Sequence, residues 1–284
     1  MNNLIKSIRS KLNMNQEQFA KELGTTVLSI NRWENEKTSP NKMAQNQIYR
    51  FYKEHKLELS DMIVTSLSRI PNENGIILYH GSKQGIKNKI APISRNRCDF
   101  GKGFYLGTNP LQPLTLICNE DNPIFYTFSL DLNNLRTLKV NTDLDWAMII
   151  AFYRGYLDGN KESDLYRRLE SMTDGYDVII GPIADDRMYR VLNSFFEGEI
   201  TDQALLHSLS ALDLGVQYVC KSQNACEHLK ILEERKLSNL ELEILRDKSI
   251  ARRKEGIQST EEILRLYRRK GRYFDEILEG ESYE

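Results

Sequence analysis

The chain has 284 residues and a mass of 33.1 kDa, enough for roughly two domains that bury their cores without disulfide or metal staples. Apolar residues make up 40% and charged residues 28%, which excludes disorder over most of the chain. Lys and Arg together number 39 and Asp and Glu 40, so any pull toward nucleic acid or membrane must come from local asymmetry.

Residues 1–66 read as a helical unit. Leu4, Ile5, Ile8 and Leu12 recur at helical spacing. Asn15 is a candidate cap for a helix over Gln16–Leu23, with Gln18 placed to complete a capping box and Gly24 to stop it. Thr25-Thr26 can cap the next helix, Val27–Glu34, and a fourth is expected over about Asn41–Tyr52. Pro71-Asn72-Glu73-Asn74-Gly75 reads as a turn-rich linker.

Residues 75–232 mix strand and helix. Strands are expected over Ile76–His80, Gly103–Gly107, Ile124–Leu130, Asp177–Ile183 and Val216–Lys221. Helices are expected over Leu144–Leu157, Ser163–Met172, Asp185–Phe196, Asp202–Leu212 and Asn224–Arg235. The irregular alternation disfavours a doubly wound parallel sheet. Residues 233–284 form a polar helical tail with one apolar stripe of Leu237, Leu240, Leu242 and Leu245 and a second of Ile263, Leu264 and Leu266. Residues 246–272 carry ten basic and four acidic side chains, either a solvated helical face or a surface for nucleic acid or an acidic partner.

The longest apolar run, Ala147–Phe152, is too short to cross a bilayer, and the N-terminus has no signal-peptide pattern; no membrane partner and a cytoplasmic location are expected. Cys98, Cys118, Cys220 and Cys226 lack metal-binding spacing, so free thiols and no metal are expected.

In residues 15–34, Phe19, Ala20, Leu23, Ile30 and Trp33 sit where two short helices bury a shared face, and Gly24 permits the turn between them. Gln16, Thr26, Val27, Leu28, Asn31 and Arg32 are then the candidate DNA contacts. Residues 1–60 hold ten basic and six acidic side chains, which agrees. The alternative is a packing or dimerisation module, with Val27 and Leu28 at a protein interface. The string resembles the Xre/Cro-type helix-turn-helix family over about residues 3–55, including the Glu34-x-x-Lys37-x-x-Pro40 turn.

Two further segments form a constellation: Leu78-Tyr79-His80-Gly81-Ser82 and Asp99-Phe100-Gly101-Lys102-Gly103-Phe104-Tyr105-Leu106. A strand ending in His-Gly offers an imidazole beside an unobstructed backbone donor and acceptor, which suits a carboxamide such as nicotinamide. A tyrosine on a glycine-flanked strand can stack on a flat cationic ring. The segments resemble the ADP-ribosyltransferase superfamily in its poly(ADP-ribose) polymerase-like branch. Residues 75–232 are similar, more closely, to a bacterial family, domain of unknown function 3990, which shares the 177–186 and 217–222 segments.

That resemblance implies an α+β protein: a helix-turn-helix head, a split antiparallel β-sheet body with NAD held between two packed sheets, and a helical tail. It implies His80 as the ribose-binding histidine, Gly81 as the nicotinamide clamp and Tyr105 as the stacking ring, with Ser82, Gly103 and Phe104 beside them. Gln217 occupies the place of a glutamate that supports the developing cation, which puts chain elongation in doubt and leaves single transfer or NAD hydrolysis. Asp185 and Asp186 are candidates to restore the charge, or are helix caps, and Arg187 is a candidate phosphate contact. The function expected is an NAD-dependent mono-ADP-ribosyltransferase or NAD glycohydrolase with a DNA-binding head, in a toxin-antitoxin or phage-defence setting. An antitoxin, an unknown macromolecular acceptor and a second copy of the chain are possible partners. The alternative is a non-enzymatic regulator that senses NAD or ADP-ribose.

Overall fold

The computed structural model describes residues 2–67, 75–184, 186–210, 215–267 and 270–280. Residues 71–74 of the expected linker, and residues 211–212 at the end of one expected helix, lie outside them.

The head is built from α1 (Asn2–Lys11), α2 (Gln16–Glu22), α3 (Val27–Glu34), α4 (Lys42–Glu54) and α5 (Ser60–Leu67), the last not anticipated from sequence. The capping box forms: the Gln18 N–H donates to Asn15 Oδ1 at 2.8 Å, and the Asn15 N–H donates to Gln18 Oε1 at 2.9 Å. Gly24 follows at φ +60°, and Thr26 caps α3 by accepting from the Ser29 N–H. Ile5, Ile8, Phe19, Ile30 and Ile48 close the centre of the bundle. Arg9 grips Glu34 through Nε at 2.7 Å and Nη2 at 3.0 Å, tying α1 to the end of α3.

The body carries β1 (Ile76–Ser82), β2 (Phe104–Gly107), α6 (Leu111–Ile117), β3 (Ile124–Leu130), β4 (Thr137–Lys139), α7 (Leu144–Arg154), α8 (Asp164–Met172), β5 (Val178–Pro182), α9 (Asp186–Phe196), α10 (Asp202–Ser210), β6 (Val216–Cys220), α11 (Gln223–Glu227) and β7 (Leu229–Lys236). The architecture is α+β. The strands form one sheet in the order β4-β5-β6-β2-β1-β3-β7, antiparallel except for the parallel β4–β5 pair.

The two packed sheets expected from sequence are instead one sheet nearly cut in two. β1 pairs with β3 along its whole length, but with β2 only at Tyr79↔Gly107. The expected helix over 224–235 is also replaced. Only Gln223–Glu227 is helical, and Leu229–Lys236 is the edge strand β7 on β3.

Strand alternation sends Tyr79, Phe125, Ile179 and Val219 to one face and Leu78, Phe128, Val178 and Cys220 to the other. The first face is covered on its β2-β6-β5 half by α7, α8, α9 and α10 around Trp146, and on its β1-β3 half by α6. α12 (Asn239–Tyr267) follows β7, spans about 43 Å at 1.5 Å per residue, and precedes α13 (Phe274–Gly280). Its first turns bury Leu240, Leu242, Ile244 and Leu245 against the head, α6 and β1, so head and body share one apolar core. Tyr49 Oη donates to Asp247 at 2.9 Å, and the Leu240 N–H to Gln45 Oε1 at 3.1 Å, across the same seam. Of the second expected stripe, Leu266 is exposed, and the side chains of Ile263 and Leu264 lie outside the described residues. Among the described residues no helix is long and apolar enough to cross a membrane.

Candidate functional site

The split in the sheet makes the site. Past the Tyr79↔Gly107 pair, His80, Gly81 and Ser82 have no partner in β2. A cleft of about 260 Å³ opens there on the face that carries Tyr79. His80, Gly81, Tyr105 and Gln217 line it, from three strands, together with Asp99 and Arg154. A second cavity of about 420 Å³, on the opposite face, is bordered by Ser82, Gly103 and Phe104 and shares His80 and Tyr105 with the first. The expected NAD contacts of β1 and β2 are thus divided between two cavities on opposite faces of the sheet, with His80 and Tyr105 lining both. Asp185 lies outside the described residues, as do the side chains of Asp186 and Arg187.

His80 bridges the gap. Its Nδ1 lies 2.8 Å from the Tyr105 carbonyl oxygen, and its ring stacks on Phe104 at 4.6 Å. A carbonyl only accepts, so Nδ1 carries the proton and the neutral ring keeps Nε2 as an acceptor. Burial lowers the His80 pKa, partly opposed by the bond to Tyr105, which favours that neutral form.

The Tyr105 hydroxyl is engaged within the chain. It donates to the Gly101 oxygen at 2.7 Å and accepts the Phe100 N–H at 3.0 Å, while burial pushes its pKa well up. What Tyr105 presents to the cleft is its ring. The hydroxyl holds the turn before β2, where Gly101 has φ +68° and a Cβ would meet the Tyr153 ring at 2.5 Å. Gly81 is small for a different reason. A Cβ there would come within 2.7 Å of Ile117 and 2.8 Å of the Pro113 oxygen, because α6 lies directly on it.

Gln217, buried on β6, donates from Nε2 to the Pro182 oxygen at 2.7 Å and to Asp99 Oδ2 at 3.2 Å. Both amide hydrogens are used, and no hydrogen bond within the described residues engages Oε1. Asp99, also buried, accepts from Arg154 Nη2 at 2.5 Å, and the Arg154 guanidinium lies 3.9 Å from the centre of the Tyr189 ring. Asp99 opens the second segment but has no role expected from sequence, and Arg154 lies outside both segments. The available signal was an acidic residue opening a glycine-rich turn and a lone cation ending an apolar helix.

In the head, Thr26, Val27, Leu28 and Arg32 are exposed on α3. Asn31 and Gln16 are half-buried. Asn31 donates to Gln16 Oε1 at 3.3 Å, and Gln16 donates to Glu34 at 2.8 Å. Asn31, a candidate DNA contact on the outer face or N-terminal end of α3, also links α3 to α2. All four cysteines are free thiols.

A family model described as Protein of unknown function (DUF3990) matches residues 76–231, and a helix-turn-helix model matches residues 5–43, which points to DNA binding by the head. No curated protein and no solved structure matches the chain.

Proposed function

The chain belongs to DUF3990, a family of proteins of unknown function, and on that footing we propose that its cleft binds NAD and splits the nicotinamide–ribose bond beside a DNA-binding head. One observation carries this reading: His80, Tyr105 and Gln217, from three different strands, line a single cleft at the split in the sheet. The cleft is about 260 Å³ and is lined by both polar and aromatic side chains, as a small-molecule site requires.

Nicotinamide would stack on Tyr105, with its carboxamide held by the Gly81 backbone, and a ribose hydroxyl would donate to His80 Nε2. As the C1′–N bond breaks, its electron pair leaves with nicotinamide and positive charge builds on the ribose. Gln217 Oε1 accepts from the 2′-hydroxyl beside that charge. Water or a nucleophilic side chain or nucleotide then takes the ADP-ribosyl group and releases a proton. A toxin-antitoxin or phage-defence setting, and an antitoxin, a macromolecular acceptor or a second copy as partner, rest on the resemblance noted from sequence.

The test is nicotinamide release from labelled NAD by the purified chain, followed by asking which macromolecule carries label. Release at least tenfold above the His80→Ala variant is expected, and release equal to that variant overturns the reading.

One observation favours a second, regulatory reading. α6 lines the cleft through Gln112, Pro113 and Leu116, while its Leu114 and Ile117 lie in the core shared with the head. A sensor would change its DNA affinity on adding NAD without releasing nicotinamide.

A further inference from the structure

We infer that Asp99 is a positioning residue that acts through Gln217, so that the two side chains together do the work of a single carboxylate in the cleft; this rests on the NAD-cleaving reading above. Gln217 Nε2 gives both hydrogens to electron-rich acceptors, the Asp99 carboxylate at 3.2 Å and the Pro182 carbonyl at 2.7 Å. Donation to an anion pulls density from the nitrogen's hydrogens, and amide resonance pushes negative charge onto Oε1. Hydrogen-bonded groups polarise one another in this way, most strongly out of water. Oε1 of this cleft-lining residue is engaged by no hydrogen bond among the described residues.

The same contacts fix the amide the right way round. A carboxylate and a carbonyl only accept, so the nitrogen must face Asp99 and Pro182, and the oxygen must face away from them. Arg154 in turn holds Asp99, giving Oδ1 a cationic partner and leaving Oδ2 for Gln217. The relay therefore runs from Arg154 to Asp99 to Gln217, across 118 residues of sequence between the last two.

The reaction is NAD plus water giving ADP-ribose, nicotinamide and a proton. The relay forms no bond and accepts no proton. Its negative potential is fixed beside the ribose, where positive charge grows as the bond breaks, so it should act more on kcat than on NAD binding.

The experiment is a charge swap read by nicotinamide release at matched folded fraction. Asp99→Asn should lower kcat roughly 5- to 30-fold, the difference between a charge-assisted and a neutral hydrogen bond, with KM for NAD changed less than about 3-fold. Gln217→Glu alone should not exceed wild type, because a second carboxylate about 3 Å from Asp99 cannot stay ionised beside it. The double variant Asp99→Asn with Gln217→Glu puts one charge directly in the cleft and should recover wild-type kcat within about 3-fold. It keeps the net charge facing Arg154, so it remains a test even if Asp99→Asn fails to fold. In that case it should exceed Gln217→Glu alone by at least 5-fold.

A merely structural role for Asp99 predicts no such rescue. Wild-type kcat in Asp99→Asn, Gln217→Glu faster than wild type, or a double variant no better than either single would overturn the relay while leaving NAD cleavage standing. No nicotinamide release from wild type would remove both.

Discussion

The imidazole of His80 donates to the backbone oxygen of Tyr105 at 2.8 Å, so a side chain closes the sheet at the point where the pairing of β1 with β2 stops. The bond needs no charge on the ring, and burial lowers the His80 pKa from its ordinary value of 6.5. The native state therefore takes up this proton at lower pH than the unfolded chain. The stability that neutral His80 contributes is complete above about pH 6.5 and is lost as pH falls toward the native pKa. We expect His80→Gln to flatten the fall in Tm between pH 7 and pH 5 relative to wild type. Parallel Tm profiles in thermal unfolding would show that His80 is not held neutral.

Tyr105 separates ring from hydroxyl. Tyr105→Phe removes the bonds to Gly101 and Phe100 but keeps the ring. We expect a lower Tm, from the loss of about 1–3 kcal/mol as the buried partners go unsatisfied, with NAD affinity largely retained. Tyr105→Ala should in addition weaken NAD binding by about 0.5–1.5 kcal/mol beyond lost contact area. Equal NAD affinities for the two variants in calorimetry would remove the stacking role.

Gly81→Ala tests why the residue is glycine. The new methyl would overlap Ile117 and the Pro113 oxygen, and backbone cannot yield as a side-chain tip can. A loss of about 1–3 kcal/mol is expected in chemical denaturation, the usual cost of overpacking. Wild-type stability would mean that α6 is not seated on the strand as described.

The head divides its polar residues between support and exposure. Glu34 is paired with the half-buried Arg9, so Glu34→Ala removes two charge-assisted hydrogen bonds and should cost about 1–3 kcal/mol. Arg32 is exposed, and Arg32→Ala should leave Tm unchanged while weakening specific DNA binding by about 1–3 kcal/mol. Asn31→Ala should lower both, since it also cuts the tie to Gln16. DNA binding measured against salt and thermal unfolding of the same variants check all three.

Leu240 tests the common core. It is fully buried where α12 meets the head, and Leu240→Ala should cost about 2–5 kcal/mol. Trp33 reports on the head and Trp146 on the body, so single-tryptophan variants can follow each half. A single coincident transition, shifted as one by Leu240→Ala, is expected. Two transitions, with only the head's moved, would contradict the shared core.

The strands were readable in the sequence where both faces are buried. Ile124–Leu130 is buried at every position, and its dense aromatic and branched apolar residues, broken only by Thr127 and Ser129, mark it. β7 was misread because Leu229–Lys236 alternates poorly and is rich in Lys, Glu and Arg. Those residues favour helix locally, yet they suit an edge strand that must resist further pairing. α6 carries Pro113 in its first turn, where a missing N–H costs nothing, so a proline that reads as a helix breaker is tolerated. The site was half legible. His80 and Tyr105 lie inside recognisable segments, but the Asp99–Gln217 contact joins distant parts of the chain through tertiary packing alone.

A core that belongs to two functions has a genetic consequence. Were the head cut away, Leu240 and the first turns of α12 would lose the apolar cover that α4 and α5 supply. Head and body should therefore fail to complement one another when supplied as separate polypeptides. Lesions that fall far from the cleft, at Ile48 or Phe51, should score as loss of the body's function as well as the head's, and a screen for one phenotype will collect alleles of both.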